Sequence, residues 1–299
     1  MTFVVTLLSL LVSLNGYAAK ITYTFDDAPM GDHYLSGVER TERLIIALKN
    51  AKVEEAAFYA NPGKKYKFGI DRLKKYSKAG HVLANHTFDH PSLDKISAEN
   101  FLESIHSAHK LIKDLPTFRP WFRYPYLREG KGNPNKHDRI KSELSKLGYR
   151  LGYITIETFD WHIQFRLNEA LKARKKVHFD RLGKFYRRLV VESALFYESL
   201  AKRNIGRSPV HVLLLHENDI NALFFEDVVK DLEEAGFETA KASEAFSDPI
   251  ADKKWDNNPR SMTRLRAIAE KSNYSGPVDS HWLSEKTIDQ EMARLAIFE

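Results

Sequence analysis

Between residues 20 and 236 the chain alternates short apolar runs with amphipathic helical stretches. The runs fall at 20–25, 56–60, 81–84, 119–124, 149–156 and 210–215. Helical pattern follows at 39–50, 69–78, 97–113, 136–146 and 225–234, with Ser97 as an N-cap and Gly80, Gly148 and Gly236 as stops. Strands that are apolar along both faces, each followed by a helix, predict a parallel sheet covered by helices. In β/α barrels the chemistry collects at the C-terminal ends of the strands. Asp26, Asp27, His86, His90, Arg123, Asp160 and His216 all sit at or just past such ends.

Two segments break the alternation. Between Gln164 and Ile205 there are 11 Lys or Arg against 4 Asp or Glu, more than the +6 excess of the whole chain. This basic stretch reads as a helical insert over about 162–205. From residue 248 to 299 the chain is polar with helical pattern, and reads as a C-terminal extension packed on the domain. Residues 1–18 read as an export signal: the apolar 3–14 stretch is too short to span a bilayer, and Gly16-Tyr17-Ala18 offers small residues for cleavage. The expected organisation is therefore a signal at 1–18, one domain at 19–247 and the extension. No membrane span is expected after cleavage, and the product is expected in the periplasm or cell envelope, or outside the cell. The chain has no cysteine, which excludes thiol nucleophiles, iron–sulfur clusters and cysteine zinc sites.

Thr24-Phe25-Asp26-Asp27-Ala28-Pro29 places two carboxylates at the end of the first strand. One can hold a metal while the other takes a proton; a turn-forming Asp pair is the plain alternative. Successive strand residues face opposite ways, so a turn must redirect one of them. His86 and His90 are spaced i, i+4, which on a helical turn puts both imidazoles on one face. Two surface histidines would look the same. One Asp and two His make a catalytic rather than a structural metal set, because a position is left for water. No Glu follows His86, so a general base must come from elsewhere, and Asp26 is available. Arg123-Tyr124-Pro125-Tyr126 offers a guanidinium for a carboxylate and a backbone N–H for an oxyanion. Glu157-Thr158-Phe159-Asp160-Trp161 sets a carboxylate beside an aromatic that is either a sugar platform or core. His216, ending an apolar strand, is a core histidine or a general acid.

In this order the five motifs resemble the polysaccharide deacetylase family, the NodB-homology carbohydrate esterases, over about residues 21–245. The resemblance implies a distorted (β/α) barrel, here with a helical insertion and a C-terminal extension. It implies a divalent metal, zinc before cobalt, nickel or manganese, on Asp27, His86 and His90. Asp26 then corresponds to the base and Arg123 to its tether. Tyr126 corresponds to the oxyanion donor, and His216, partnered by Asp160, to the acid. Trp161 and Leu214 correspond to the walls of the substrate groove. Ala28 and Leu127 stand where the family usually has Gly, and Glu157 where it usually has Asp.

The expected activity is metal-dependent removal of N-acetyl groups from N-acetylglucosamine-type sugars of a polysaccharide. Peptidoglycan is the first choice of substrate; chitooligosaccharide and exopolysaccharide follow. A non-catalytic glycan-binding protein on the same fold, or a hydrolase of a non-sugar amide, are the competing readings. No nucleic-acid partner is expected.

Overall fold

The computed structural model describes residues 18–63, 68–130, 132–252 and 263–299. The apolar stretch read as an export signal lies outside them, except for Ala18. Among the described residues, seven strands form one parallel sheet: β1 (Ala19–Ala28), β2 (Ala57–Ala60), β3 (Val82–Asn85), β4 (Phe118–Phe122), β5 (Arg150–Leu151), β6 (His211–His216) and β7 (Phe237–Thr239). Their order is β5-β4-β3-β2-β1-β6, with β7 beside the start of β1.

Helices α1 (Gly37–Asn50), α2 (Gly69–Lys78), α3 (Ala98–Ile112) and α4 (Pro134–Lys146) lie between successive strands. Helices α5 (Asp160–Lys172) and α6 (Phe179–Ile205) precede β6, and α7 (Asp219–Glu234) follows it. The short α8 (Ala242–Ala245), then α9 (Arg264–Lys271) and α10 (Glu285–Arg294), complete the chain. Ser97 caps α3 as expected, accepting from the Asn100 amide at 3.1 Å.

The run at 149–156 is not one strand. It pairs with β4 only through Arg150 and Leu151, then crosses and forms a parallel bridge from Ile156 to Leu213 of β6. The same short segment thus touches both edges of the sheet, and the sheet curls into a distorted barrel. Gly152 permits the crossing. A Cβ there would lie 2.3 Å from the Tyr59 hydroxyl, so only glycine lets the segment pass this ring.

Period-2 alternation along β1 separates packing from chemistry. Ile21, Tyr23 and Phe25 enter the main hydrophobic core, with Phe25 stacked on Phe58 at 4.9 Å and Tyr23 edge-on to Phe225 at 5.0 Å. Thr24 and Asp26 face the other way and are buried among polar groups.

Helices α5 and α6 occupy the basic stretch and contribute Ile163, Leu167, Phe185, Leu189 and Tyr197 to that same core. Much of the stretch's charge is locally paired: Arg187 with Asp227 and Asp231, Arg188 with Glu291, and Lys202 with Glu198. Leu265, Trp282, Ile288 and Met292 of the C-terminal region also join the core.

Candidate active site

A cleft of about 580 Å³ opens over the C-terminal ends of β1, β3 and β6. Asp26, Asp27, His86, His90, Tyr126, Trp161, Leu214 and His216 line it. Arg123 and Asp160 stand behind this wall, both buried. All ten residues singled out from the sequence therefore meet at one place.

The Asp pair is redirected by the backbone. Asp27 has φ of 66°, and the register of β1 against β2 slips between Phe25 and Ala28. This bulge turns two neighbouring carboxylates into one cleft.

The histidines arrive differently from the expectation. Residues 86–90 are an irregular loop, not a helical turn. Thr87 and His90 have φ of 69° and 62°, left-handed values that are costly for side chains with a Cβ. Asn85 and Asn61 hold the loop: the Thr87 amide donates to Asn85 Oδ1 at 2.8 Å, and Asn61 Nδ2 donates to the His86 and Thr87 carbonyls. His90 N donates to Thr87 Oγ1 at 3.1 Å. The i, i+4 spacing thus converges through a loop that folds back on itself.

Ligand-capable atoms of Asp27, His86 and His90 all lie within 4.8 Å of one another. His86 Nδ1 is 2.8 Å from the Arg123 carbonyl, so it carries the proton and Nε2 is the ligand-capable nitrogen. His90 Nε2 lies 3.3 Å from Asp27 Oδ1. One carboxylate, two oriented imidazoles and a cleft open to water fit a catalytic divalent ion.

Asp26 is tied to Arg123, whose Nη1 lies 2.5 Å from Asp26 Oδ1 and 2.9 Å from Thr24 Oγ1. The guanidinium lies 3.8 Å over the Tyr59 ring, and Nε donates to the Gly152 carbonyl at 2.8 Å. Burial pushes the Asp26 carboxyl up, and the Asp27 charge adds to this, while Arg123 and His216 pull it down. The outcome is a more basic carboxylate than one in water.

On the opposite side, His216 Nδ1 is 2.7 Å from Asp160 Oδ1. Asp160 Oδ2 also accepts from the His216 amide, Asn218 Nδ2 and Asn221 Nδ2 at 2.8, 3.0 and 2.9 Å. As the first residue of α5, Asp160 has its charge favoured by the helix dipole as well. Burial alone would pull the imidazole down. The Asp160 charge and hydrogen bond, with Asp27 and Asp26, outweigh it and raise His216 to about 9. A cation held by Asp27 would cancel part of this and leave Asp160 as the main support.

Tyr126 occupies a tight turn at Pro125–Leu127 with φ of 58°, its ring edge-on to His90 at 4.4 Å. Leu127 also has a positive φ, 53°, the region that favours glycine. That accounts physically for the glycine usual at this position of the motif. Ala28 is ordinary extended strand, where alanine carries no such cost.

Glu157 lines the cleft too, raised to about 7 by burial and the Asp279 charge against Arg266 and His216. Well below its ordinary value of 4.5, folded and unfolded chains both keep its proton and it costs nothing. As pH rises from there to 7 the unfolded chain ionises first, so stability falls, by about 3 kcal/mol in all. Glu157→Gln should therefore melt above the parent at pH 8 and level with it at about pH 3. A melting difference independent of pH would show that Glu157 carries no such penalty.

The sequence reading missed the frame around these groups. Glu217 accepts from Arg72 Nη2 at 2.8 and 2.9 Å, from the Tyr76 hydroxyl at 2.8 Å and from the Met30 amide at 2.7 Å. Arg40 pairs with Asp219 at 3.3 Å and donates to the Gly31 carbonyl. These buried pairs hold the segment that follows the Asp pair against the end of β6. Asn218 is the N-cap of α7, accepting from Asn221 N at 3.0 Å, a role the sequence reading did not assign. The pairing of Arg72 with Glu217, across 145 positions, leaves no local signal.

A curled parallel sheet carrying a metal-capable cluster between a buried carboxylate and a carboxylate-supported imidazole defines a hydrolase-like α/β class. Residues 15–152, a little under half of the chain, match the model of the polysaccharide deacetylase family. It is 30% identical over 143 residues to a peptidoglycan-N-acetylglucosamine deacetylase of Bacillus cereus, covering 48% of this chain and 46% of the relative. It is 23% identical over 198 residues to the Bacillus subtilis peptidoglycan-N-acetylmuramic acid deacetylase PdaA, covering 66% and 62%. The chain thus spans less than two thirds of the length of these relatives. The chitin deacetylase structure from Colletotrichum lindemuthianum superposes with a TM-score of 0.54 at 18% identity, over 80% of this chain and 92% of that one. A family 4 pseudoenzyme from Bacillus anthracis superposes at 0.52 and 16% identity, over 76% and 65%. The fold is therefore shared by enzymes and a pseudoenzyme alike.

Proposed function

We propose that this protein is a metal-dependent N-deacetylase acting on N-acetylglucosamine-type sugars of a polysaccharide, with peptidoglycan as the polymer. The observation that carries the reading is the placement of the Asp27–His86–His90 cluster between Asp26 and His216 in one cleft. Asp27, His86 and His90 would hold the ion, zinc by its preference for imidazole and carboxylate. When bound, such an ion supplies Lewis-acid polarisation of a carbonyl and a lowered pKa for water.

The protein's own groups do the rest. Asp26, oriented by Arg123, takes a proton from water as the water oxygen attacks the acetamide carbon. The Tyr126 backbone N–H donates to the developing oxyanion. His216, its Nδ1 engaged by Asp160, delivers a proton from Nε2 to nitrogen as the carbon–nitrogen bond breaks. Acetate and a free amine result. Trp161 and Leu214 wall the groove. A non-catalytic glycan binder would need neither a buried base nor a supported acid, so the pair Asp26 and His216 favours the enzyme.

The names of the Bacillus relatives support peptidoglycan, and the apolar stretch at 3–14 supports export to the periplasm or cell envelope. No described helix is long and apolar enough to cross a membrane.

The test is acetate release from purified peptidoglycan and from chitooligosaccharides, with zinc and with chelator. Chelator-sensitive release from peptidoglycan is the expected result. His86→Ala should lose bound zinc, measured by elemental analysis, together with activity. No release from either polymer by zinc-loaded protein would overturn the reading.

A further inference from the structure

Trp161 and Phe165 stand one turn apart on α5, 40% and 49% exposed. Residues i and i+4 share a helix face. Trp161 belongs to the wall of the cleft and Phe165 does not, so the aromatic face continues beyond the cleft mouth. Neither exposed ring is needed for the core.

Both rings are held. His162, buried between them in sequence, lies 5.5 Å from Trp161 and stacks on Phe165 at 6.1 Å. Its Nε2 is 2.9 Å from Asp289 Oδ1 on α10, and its Nδ1 is 3.9 Å from Glu285. Arg166 Nε reaches the same Asp289 oxygen at 3.2 Å. The result is a fixed aromatic face edged by a guanidinium and two carboxylates, all more than a third exposed. A flat apolar ring with charged hydrogen-bonding groups at its rim matches a pyranose, which has an apolar face and an equatorial belt of hydroxyls. Rigid rings lose little freedom on binding.

We propose that Phe165, with Arg166 of α5 and Asp289 and Glu285 of α10, forms a second sugar subsite. It stacks a neighbouring residue of the same glycan chain while the N-acetyl sugar lies against Trp161. The subsite rests on the deacetylase reading and extends it to chain length. Residues 160–166 and α10 lie outside the 15–152 match.

The test compares kcat/KM for acetate release from chitobiose and chitopentaose by zinc-loaded parent, Phe165→Ala and Phe165→Trp. The ratio of pentamer to dimer should fall about tenfold in Phe165→Ala, as expected for one lost aromatic contact. The loss should appear in KM, and Phe165→Trp should restore the ratio. An unchanged ratio, whether both substrates suffer equally or neither does, would overturn the subsite. If the parent releases acetate from neither oligomer, the deacetylase reading fails only if peptidoglycan is left intact as well. The subsite is then judged by chitopentaose titration of Trp fluorescence: about tenfold weaker binding by Phe165→Ala sustains it, and equal binding overturns it.

Discussion

Loaded with zinc, Asp26→Asn should keep the metal and lose turnover, with kcat/KM for acetate release falling about 10³-fold. The amide has nearly the shape of the carboxylate and can still accept from Arg123, but it cannot take a proton from water. Arg123 also loses its ion-pair partner while 1% exposed, and unpairing a buried charge costs about 3–5 kcal/mol. The variant should therefore melt lower than the parent while remaining folded at 25 °C. Elemental analysis and circular dichroism separate the outcomes. Zinc present, native spectrum and no turnover identify Asp26 as the base. Undiminished turnover would remove it from that role, and loss of zinc would make it part of the metal cluster.

His216→Ala carries the second large effect, and its signature is selective. An amine leaves only if nitrogen is protonated, so acetamide hydrolysis should slow by about 10²–10⁴-fold. An activated ester such as 4-nitrophenyl acetate has a leaving group that needs no proton, and its hydrolysis should slow far less. Equal loss on both substrates would point to a binding or structural role.

Asp160→Asn tests the same group through pH. The Asp160 charge and hydrogen bond hold the His216 imidazole up against burial, so in the parent it keeps its proton to higher pH than it would without them. Without the Asp160 charge, burial dominates and the imidazole titrates lower. The alkaline limb of kcat/KM should move to lower pH, and a limb that stays in place would exclude His216 as the acid.

The strand ends, the Asp pair, the two histidines, the arginine and the terminal histidine were all legible in the sequence. Strand and helix periods are local, and each of these groups sits at the end of a local element. The basic stretch was legible as helix but not as core, because its apolar stripe acquires meaning only from what it meets. Arg187 and Arg188 of that stretch pair with carboxylates on α7 and near the C-terminus, partners that no local pattern could name. The helical reading of His86 and His90 failed for a definite reason. Spacing alone cannot distinguish a helical turn from a loop held by Asn61, a residue from another strand end.

The sequence by itself determined which groups are available and the order in which strand ends deliver them, since alternation and capping are short-range properties of the chain. The tertiary structure alone decided how those groups act. The bulge at Asp27, the crossing at Gly152 and the folding back at Thr87 each depend on neighbours far along the chain. So do the proton on His86 Nδ1 and the basicity of His216. Charge, burial and backbone conformation at one point in space are sums over residues that no local pattern brings together.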